Sequence, residues 1–282
     1  MIPNIIHFVF TNSPQMGGKP FSLTHYVAIR SAYAVNKPDK IYLHCEYEPS
    51  GEWWELIRPL VTINKVKLPD EIFGNPIMHM AHQADVIRLQ VLTEMGGIYM
   101  DLDTVCIKPY HYLLENEVVM GLQYRRPVFY DVGDKVLYNI KKTLLRPFVK
   151  LPAPGIKGIA NTIIFAKPQS AFIRIWLDSY RTFRGIGLEE VYWDEHSVRM
   201  PYSLAEKHPT LITKLSPDTF YYPFYDDKGL KLMFEKVCEF PNAVIHHLWE
   251  TASWEKYCKN LTPEDVKTKN STYNLLARQY LP

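Results

Sequence analysis

The chain has 282 residues, a length that suits one large domain or one domain with an appended lobe. Its 32 basic and 30 acidic residues leave a net charge of +2, which argues against nucleic acid as a partner. The 4 cysteines form no C-x-x-C pair, so a disulfide scaffold is excluded and we expect a reducing compartment. The sequence shows no signal peptide and no membrane-spanning stretch, so we expect a cytoplasmic protein, with peripheral attachment to a membrane left open.

The N-terminal quarter of the chain predicts an α/β fold. Apolar runs and helical periodicity alternate along it: a strand at Ile5–Phe10, a helix at Phe21–Asn36, a strand at Lys40–Glu46, a helix at Gly51–Leu60 and a strand at Val61–Leu68. Strands that alternate with helices favour a parallel sheet with right-handed crossovers.

The later elements are predicted to decorate this sheet. They are strands at Val118–Tyr124 and Gly158–Ala166, helices at Ser170–Phe183, Ser197–His208 and Pro263–Tyr280, and strand-rich stretches at Thr210–Phe224 and Asn242–Leu248. Residues Arg125–Pro154 are rich in basic residues and bounded by prolines, and we interpret them as an irregular excursion. Because no linker or repeat divides the sequence, we expect one domain over residues 1–282.

The stretch Ala81–Lys108 predicts the centre of the molecule. It contains a helix, the pair Gly96-Gly97, a short apolar strand, and the carboxylates Asp101 and Asp103. Two aspartates at i and i+2 of a strand point to the same face, and like charges so close need a compensating cation. A hard divalent ion, commonly completed by a diphosphate, meets that need. Ligands gather at the carboxyl ends of strands in such sheets, so we expect the site there.

The helix of this stretch carries His82, Asp85 and Arg88 at positions i, i+3 and i+6, which makes each a neighbour of the next. Taken alone, the Asp85–Arg88 pair is most simply a surface ion pair that contributes little to stability. Its position just before the Gly-Gly turn and the two aspartates favours a functional role instead.

The pattern D-x-x-R, then Gly-Gly, then D-x-D resembles the sugar-nucleotide-binding region of glycosyltransferase family 32, which also forms the core of the clostridial glucosylating toxins. The opening Ile2–Phe10 is similar to the first strand of that family. The resemblance implies a GT-A fold, in which a Rossmann-like, mostly parallel sheet is flanked by helices, with helical and loop additions. It implies a nucleotide-sugar-binding half at residues 1–124 and an acceptor-side half with a closing segment at residues 125–282.

The resemblance also implies site residues. Asp103 would be the direct metal ligand, and Asp101 would meet metal-bound water and hydroxyls of the donor. Phe10 stands where the family usually has tryptophan and would stack on the nucleotide base. The complete set of donor-binding residues implied in this way is Phe8, Val9, Phe10, Asp85, Arg88, Tyr99, Asp101, Leu102, Ser253 and Trp254.

Two further positions come from the second half of the chain. Asn161, together with Asp101 and Asp103, is implied to be catalytic, because the family has an asparagine that enters the corresponding strand. The segment from His246 to Trp254 resembles the family's ending, which implies His246 as a third metal ligand. His246 and His247 point to opposite faces, so at most one is a ligand, and the choice between them stays open. The alternative is that both histidines only satisfy backbone groups in a packed strand.

Together, these features predict a metal-dependent enzyme of polysaccharide biosynthesis, with Mn²⁺ or Mg²⁺ as cofactor. The expected reaction moves a hexose from a nucleotide-diphosphate sugar, UDP-sugar favoured, to a glycan or glycolipid hydroxyl, with retention as the resemblance implies. Two alternatives remain at this point. Asp101-Leu102-Asp103-Thr104-Val105 also resembles the D-x-D-x-T signature of haloacid-dehalogenase-type phosphatases, with Val105 at the threonine position, although three α/β elements precede it. A non-catalytic nucleotide-sugar-binding module would retain the same site without turnover.

Overall fold

The computed structural model describes residues 1–11, 19–125, 132–145, 155–185 and 192–282. Its strands are β1 Ile5–Phe10, β2 Lys40–Cys45, β3 Thr62–Lys65, β4 Glu71–Ile72, β5 Asn75–Pro76, β6 Gly97–Met100, β7 Thr104–Cys106, β8 Val118–Arg125, β9 Gly155–Ala166, β10 Thr213–Leu215 and β11 Ile245–His247. Its α-helices are α1 Leu23–Asn36, α2 Glu52–Ile57, α3 Met80–Met95, α4 Val132–Leu145, α5 Ala171–Ser179, α6 Met200–Lys207, α7 Pro217–Phe220, α8 Asp227–Phe234, α9 Glu250–Ser253, α10 Pro263–Thr268 and α11 Thr272–Ala277. None of the helices in this described part is long and apolar enough to cross a bilayer.

Seven strands form the central sheet, in the order β10-β8-β9-β6-β1-β2-β3. All neighbouring pairs are parallel except the two that involve β9, which runs antiparallel to both β6 and β8. The mostly parallel sheet flanked by helices is therefore confirmed. Strand β9 comes from the second half of the chain and lies against β6, so both halves contribute to the same sheet beside the two aspartates.

Alternation along the buried strands divides the core into two layers. In β1, Ile6, Phe8 and Phe10 pack on the side of α1, whereas Val9 packs on the side of α3. Because successive strand residues face opposite sides and both faces carry helices, the strand is almost continuously apolar. The same alternation sends Tyr99 of β6 toward α3, where Arg88 lies.

Several predicted elements differ from the structure. Thr210–Phe224 was expected to be rich in strands, but it holds only β10, after which Ser216 and Pro217 begin α7. Pro263–Tyr280 was expected to be one helix, but the Ser271 side chain accepts a hydrogen bond from the Asn274 N–H and starts a new helix, α11. The predicted irregular excursion contains α4, while its residues 126–131 and 146–154 lie outside the described part of the chain.

The Gly-Gly pair before the aspartates is required by backbone geometry. Gly96 has φ +64° and Gly97 has φ +103°, a region that side chains rarely adopt. A Cβ on Gly97 would lie 2.5 Å from the Ile5 carbonyl oxygen and 2.9 Å from His7 Nε2, and one on Gly96 would lie 2.5 Å from the Pro168 nitrogen. Gly97 therefore allows β6 to start tightly against β1, and Gly96 allows the close approach of Pro168.

We expect Gly97→Ala to lower the free energy of unfolding by about 3 kcal/mol or more, because strain and a backbone clash add together. Gly51→Ala is the matched control, since Gly51 has the same φ of +103° but no neighbouring atom within 4 Å of the place that an added methyl group would take. Gly51→Ala should lower the free energy of unfolding by only about 1–2 kcal/mol, the cost of the backbone strain alone. Urea unfolding of the two variants measures the difference, and equal losses would contradict the role assigned to the close approach.

A buried chain of side chains links β3, β2 and β1 to this turn. The Gly96 carbonyl only accepts, so His7 Nε2 donates to it over 2.9 Å. His44 Nε2 then donates to His7 Nδ1 over 3.0 Å, and the Asn64 amide donates to His44 Nδ1 over 2.9 Å. Burial lowers the pKa of His7 to about 4, although its bond to Gly96 acts in the other direction. Burial and then the neighbouring His7 lower the pKa of His44 to about 3.

This pair makes the fold acid-sensitive. Between pH 6.5, the ordinary pKa of histidine, and about pH 4, these two histidines bind protons in the unfolded chain but stay neutral in the folded chain. The free energy of unfolding therefore falls as the pH falls. The expected slope is about 1.4 kcal/mol per pH unit for each histidine. Urea unfolding across this range should show it, and His44→Gln should give a shallower slope. An unchanged slope in that variant would contradict the assignment.

Candidate functional site

Asp101 and Asp103 lie in the turn that joins β6 to β7. Strand β6 ends at Met100 and β7 begins at Thr104, so the prediction that both aspartates belong to a strand is wrong. The turn is held by the Thr104 hydroxyl, which donates to the Asp101 carbonyl over 2.8 Å, and by the Asp101 N–H, which donates to the Thr162 carbonyl of β9 over 2.9 Å. A short turn, rather than strand alternation, brings the two carboxylates together.

Asp85 and Arg88 form a buried network with β9, not a surface ion pair. Arg88 Nη2 lies 3.1 Å from Asp85 Oδ1, and the arginine and aspartate side chains are only 5% and 6% exposed. The Asn161 amide donates to the same Asp85 oxygen over 2.6 Å, while Arg88 Nη1 donates to the Asn161 carbonyl over 2.8 Å. Because a buried charge is tolerated only when it is paired and hydrogen-bonded, each of these groups positions the others.

The same arginine reaches the first aspartate of the turn. Arg88 Nη1 lies 3.5 Å from Asp101 Oδ1, and its guanidinium lies over the Tyr99 ring at 4.3 Å. The Tyr99 hydroxyl donates a hydrogen bond to Asp101 Oδ1. Burial raises the pKa of Asp101 against the opposing effect of Arg88, and the charge of Asp103 acts in the same direction as burial. Asp101 remains 27% exposed, so one of its oxygens can meet a ligand.

Asp103 is held by the C-terminal segment of the chain. His247 Nε2 lies 3.1 Å from Asp103 Oδ2, and the Glu250 N–H donates to the same oxygen over 2.6 Å. The Asp103 carbonyl also accepts from the Leu248 N–H over 2.7 Å. Burial alone would raise the pKa of Asp103, but His247 and then the Glu250 N–H outweigh it and hold the pKa at about 2. Asp103 is therefore ionised at neutral pH.

The structure places His247, and not His246, beside the aspartates. Strand β11 pairs antiparallel with β7, and this register sets His247 opposite Thr104. His246 points to the other face, is 2% exposed, and meets the Phe240 ring edge-on at 5.1 Å. The expectation that His246 completes the cluster is therefore corrected, because one residue of shift along a strand reverses the face.

Asp101, Asp103 and His247 form a set that fits a divalent metal ion. One ligand atom from each lies within 4.8 Å of the others. Two carboxylate oxygens and one imidazole nitrogen can bind a divalent ion when water or phosphate oxygens complete the coordination shell.

The other residues that the resemblance implies to bind the donor, from β1 and from the turn after β6, are almost fully buried. Phe8 and Phe10 pack into the core on the α1 side, and Phe10 meets the Phe21 ring edge-on at 5.9 Å. Its ring is 3% exposed and offers no open face, so stacking of a base on Phe10 is not supported by its position. Val9 and Leu102 are each 8% exposed, and they belong to the core layers on the α3 side and the α1 side, respectively.

The Ser253–Trp254 pair acts through packing. Ser253 is fully buried, with its hydroxyl 3.4 Å from Cys258 Sγ. The Trp254 ring stacks near His25 at 6.5 Å and lies under Lys19 Nζ at 4.7 Å. His25 in turn bonds Glu250 over 3.0 Å, the residue whose N–H holds Asp103. These contacts fix the closing segment, whereas direct contact of Ser253 with a donor is not supported by its position.

Sequence reasoning missed Trp249 and the Glu250 backbone. Trp249 adopts a left-handed conformation with φ +56°, its ring lies 4.1 Å from His247, and its indole N–H donates to the Pro223 carbonyl over 2.9 Å. This turn aims the Glu250 N–H at Asp103. No sequence signal marks a backbone donor, although an unusual φ at a tryptophan is a structural sign of a functional constraint.

Comparison with known proteins agrees with this geometry. The family model "Glycosyltransferase sugar-binding region containing DXD motif" matches residues 60–120. Glucan organizing enzyme 1 of Cryptococcus neoformans var. grubii is 32% identical over 287 residues, covering 100% of this chain and 71% of that protein. The apo structure of the glycosyltransferase GlyE of Streptococcus pneumoniae has a TM-score of 0.50 and 14% identity, covering 99% of this chain and 60% of that one. At this identity the structural likeness concerns the fold, and the predicted GT-A fold is confirmed.

The burial of the Asp85–Arg88 pair gives a direct test. We expect Arg88→Ala to lower the free energy of unfolding by about 3–5 kcal/mol, because Asp85 would keep a buried and uncompensated charge. The chain contains its own matched control: Asp178 and Arg181 have the same D-x-x-R spacing and are 64% and 61% exposed. Arg181→Ala should cost less than about 1 kcal/mol. Chemical unfolding without added donor measures both, and similar losses would contradict a buried network.

Proposed function

We propose, since this chain belongs to the glycosyltransferases whose sugar-binding region contains a DXD motif, that it transfers a hexose from a UDP-sugar to a hydroxyl group of a glycan or glycolipid. The observation that carries this proposal is the convergence of Asp101, Asp103 and His247 at the end of β6. The edge where parallel strands end is where α/β proteins bind nucleotides. The name of the fungal relative refers to glucan, which fits a glycan acceptor and a role in polysaccharide biosynthesis.

Asp101, Asp103 and His247 would hold Mn²⁺ or Mg²⁺. When bound, such an ion supplies a positive charge that stabilises the diphosphate as it leaves. The chain prepares for this role by keeping Asp103 ionised through His247 and the Glu250 N–H. The turn between β6 and β7 holds both carboxylates in place before any ligand arrives.

The buried network would orient the donor. Arg88 and Tyr99 both contact Asp101 Oδ1, so the exposed part of Asp101 is available to accept from a ribose or sugar hydroxyl. The Asn161 amide is bonded to Asp85, which fixes the side chain at the junction of α3 and β9. Preorganised dipoles of this kind need no rearrangement during the reaction.

We further propose transfer with retention. The acceptor hydroxyl would attack from the face that the diphosphate leaves, and an oxygen of the leaving phosphate would take the hydroxyl proton. The sugar carbon thus exchanges a phosphate oxygen for the acceptor oxygen. Family membership also separates this chain from the phosphatase alternative. The remaining alternative is a module that binds the nucleotide-sugar without turnover, and an activity assay distinguishes the two.

The direct test incubates the protein with UDP-glucose, UDP-galactose, UDP-N-acetylglucosamine and GDP-mannose, with Mn²⁺, with Mg²⁺ or with a chelator. We expect release of the nucleoside diphosphate from one donor, only when metal is present. Thermal shifts under the same conditions report donor binding separately from turnover. Binding without release across a broad acceptor panel would instead support a binding module.

Asp103→Asn should abolish the metal-dependent thermal shift and lower turnover by more than about 100-fold, because the variant loses the charge that the ion would meet. Asp178→Asn is the control, since Asp178 is an exposed aspartate on α5. Circular dichroism checks that both variants fold. Full metal-dependent turnover in Asp103→Asn would overturn the proposed role of the cluster.

Variants of the two neighbouring histidines distinguish a role in metal binding from a role in packing. His247→Ala should raise the Mn²⁺ concentration needed for half-maximal donor stabilisation by about tenfold or more, because a ligand is lost. His246→Ala should lower stability by removing a buried side chain but leave that Mn²⁺ concentration unchanged. A titration of Mn²⁺ at fixed donor concentration measures both. The reverse result would restore the assignment of His246.

A further inference from the structure

Helix α4, Val132–Leu145, presents an apolar face that the described part of the chain leaves uncovered. Every side chain of α4 that the structure describes is exposed. Four of them are large and apolar: Val132 is 75% exposed, Val136 51%, Leu137 52% and Ile140 49%. Isolated exposed apolar residues are ordinary, but four on one helix form a patch that needs a partner.

The apolar residues of α4 share one side of the helix. Val132, Val136 and Ile140 follow one another at intervals of four, and Leu137 lies three residues before Ile140, which places it beside the same stripe. Lys135 and the position of Lys142, seven residues later, lie on another side. The helix is therefore amphipathic, with an apolar stripe and a basic polar side.

The charge around this helix is unlike that of the rest of the chain. Residues 125–154 contain seven basic and two acidic residues, a net charge of +5, whereas the whole chain has a net charge of +2. The remainder is therefore net negative. Clusters of lysine and arginine beside an amphipathic helix are complementary to anionic lipid headgroups.

The helix is carried by the hairpin of β8 and β9. Both β6 and β8 run antiparallel to β9, so they point in the same direction, and β8 ends on the edge that holds Asp101 and Asp103. Strand β9 continues from Ile163, opposite Met100, as far as Gly155, opposite Arg125. This stretch of β9 spans roughly 25 Å. The two strands that α4 connects along the chain therefore extend past the two aspartates, at the same edge of the sheet.

We infer that α4 binds the surface of an anionic membrane, with Val136, Leu137 and Ile140 inserted at the level of the headgroups and Lys135 facing lipid phosphates. The apolar stripe supplies burial and the excess positive charge supplies attraction. A second copy of this chain is a poorer occupant, because two such segments would repel each other. Docking brings the Asp101–Asp103 edge toward acceptors that are carried by lipids, a consequence that rests on the proposed function.

The test measures co-sedimentation of the full chain with vesicles of phosphatidylcholine alone, or of phosphatidylcholine mixed with phosphatidylserine. We expect binding to the mixed vesicles that weakens as salt is raised, since exposed charges are screened. The double variant V136D/I140D should reduce binding by at least about tenfold, because its stripe can no longer enter the interface. Lys135→Glu should reduce it by about fivefold or more.

Val237→Asp is the matched control, since Val237 is an exposed valine (58%) outside α4; it should bind vesicles like the unaltered chain. Sizing by light scattering accompanies each measurement. Vesicle binding that survives V136D/I140D would overturn the inference. The inference would also be overturned if the chain does not bind vesicles but forms dimers that are lost in V136D/I140D, because a second copy of the chain would then cover the face. Vesicle binding lost only in the α4 variants supports the inference even if no donor is turned over, in which case only the proposed function fails.

Discussion

The buried guanidinium of Arg88 determines how the elements around the site fit together. Its partners come from three parts of the chain: Asp85 from α3, the Asn161 carbonyl from β9, and Asp101 from the turn after β6. An uncompensated charge in the interior would cost several kcal/mol, so the helix, the antiparallel strand and the turn must all adopt positions that neutralise it. The contact that stabilises the fold therefore also orders the site in advance of any ligand.

The second aspartate depends on a more distant part of the chain. Asp103 accepts from the Glu250 N–H across a separation of 147 residues, and the pairing of β11 with β7 brings His247 to the same carboxylate. The site is therefore complete only after the C-terminal segment has packed against the sheet. His25, Trp254 and the buried Ser253 hold that segment from behind. Ser253 and Trp254, which the resemblance implies to bind the donor, thus contribute by fixing the backbone whose N–H holds Asp103.

The sequence was informative where the physical signal is local. Apolar runs that alternate with helical periodicity predicted β1, α1, β2 and β3, and the Gly-Gly turn followed by two aspartates predicted where the site lies. What could not be predicted depends on long-range register. Whether His246 or His247 faces Asp103 is decided by the pairing of β11 with β7, which no local pattern encodes. The burial of Asp85 and Arg88 likewise depends on β9, whose Asn161 lies 76 residues beyond Asp85 in the chain.

The glycine pair is required by the fold, whereas the aspartates that follow it belong to the proposed site. Gly96 and Gly97 are required because Pro168 and Ile5 lie too close for any side chain, and this requirement holds whether or not a ligand ever binds. A descendant of this chain that lost Asp101 and Asp103 would still need both glycines in order to fold. The glycines therefore mark the fold of this turn, whereas the proposed activity depends on the two aspartates.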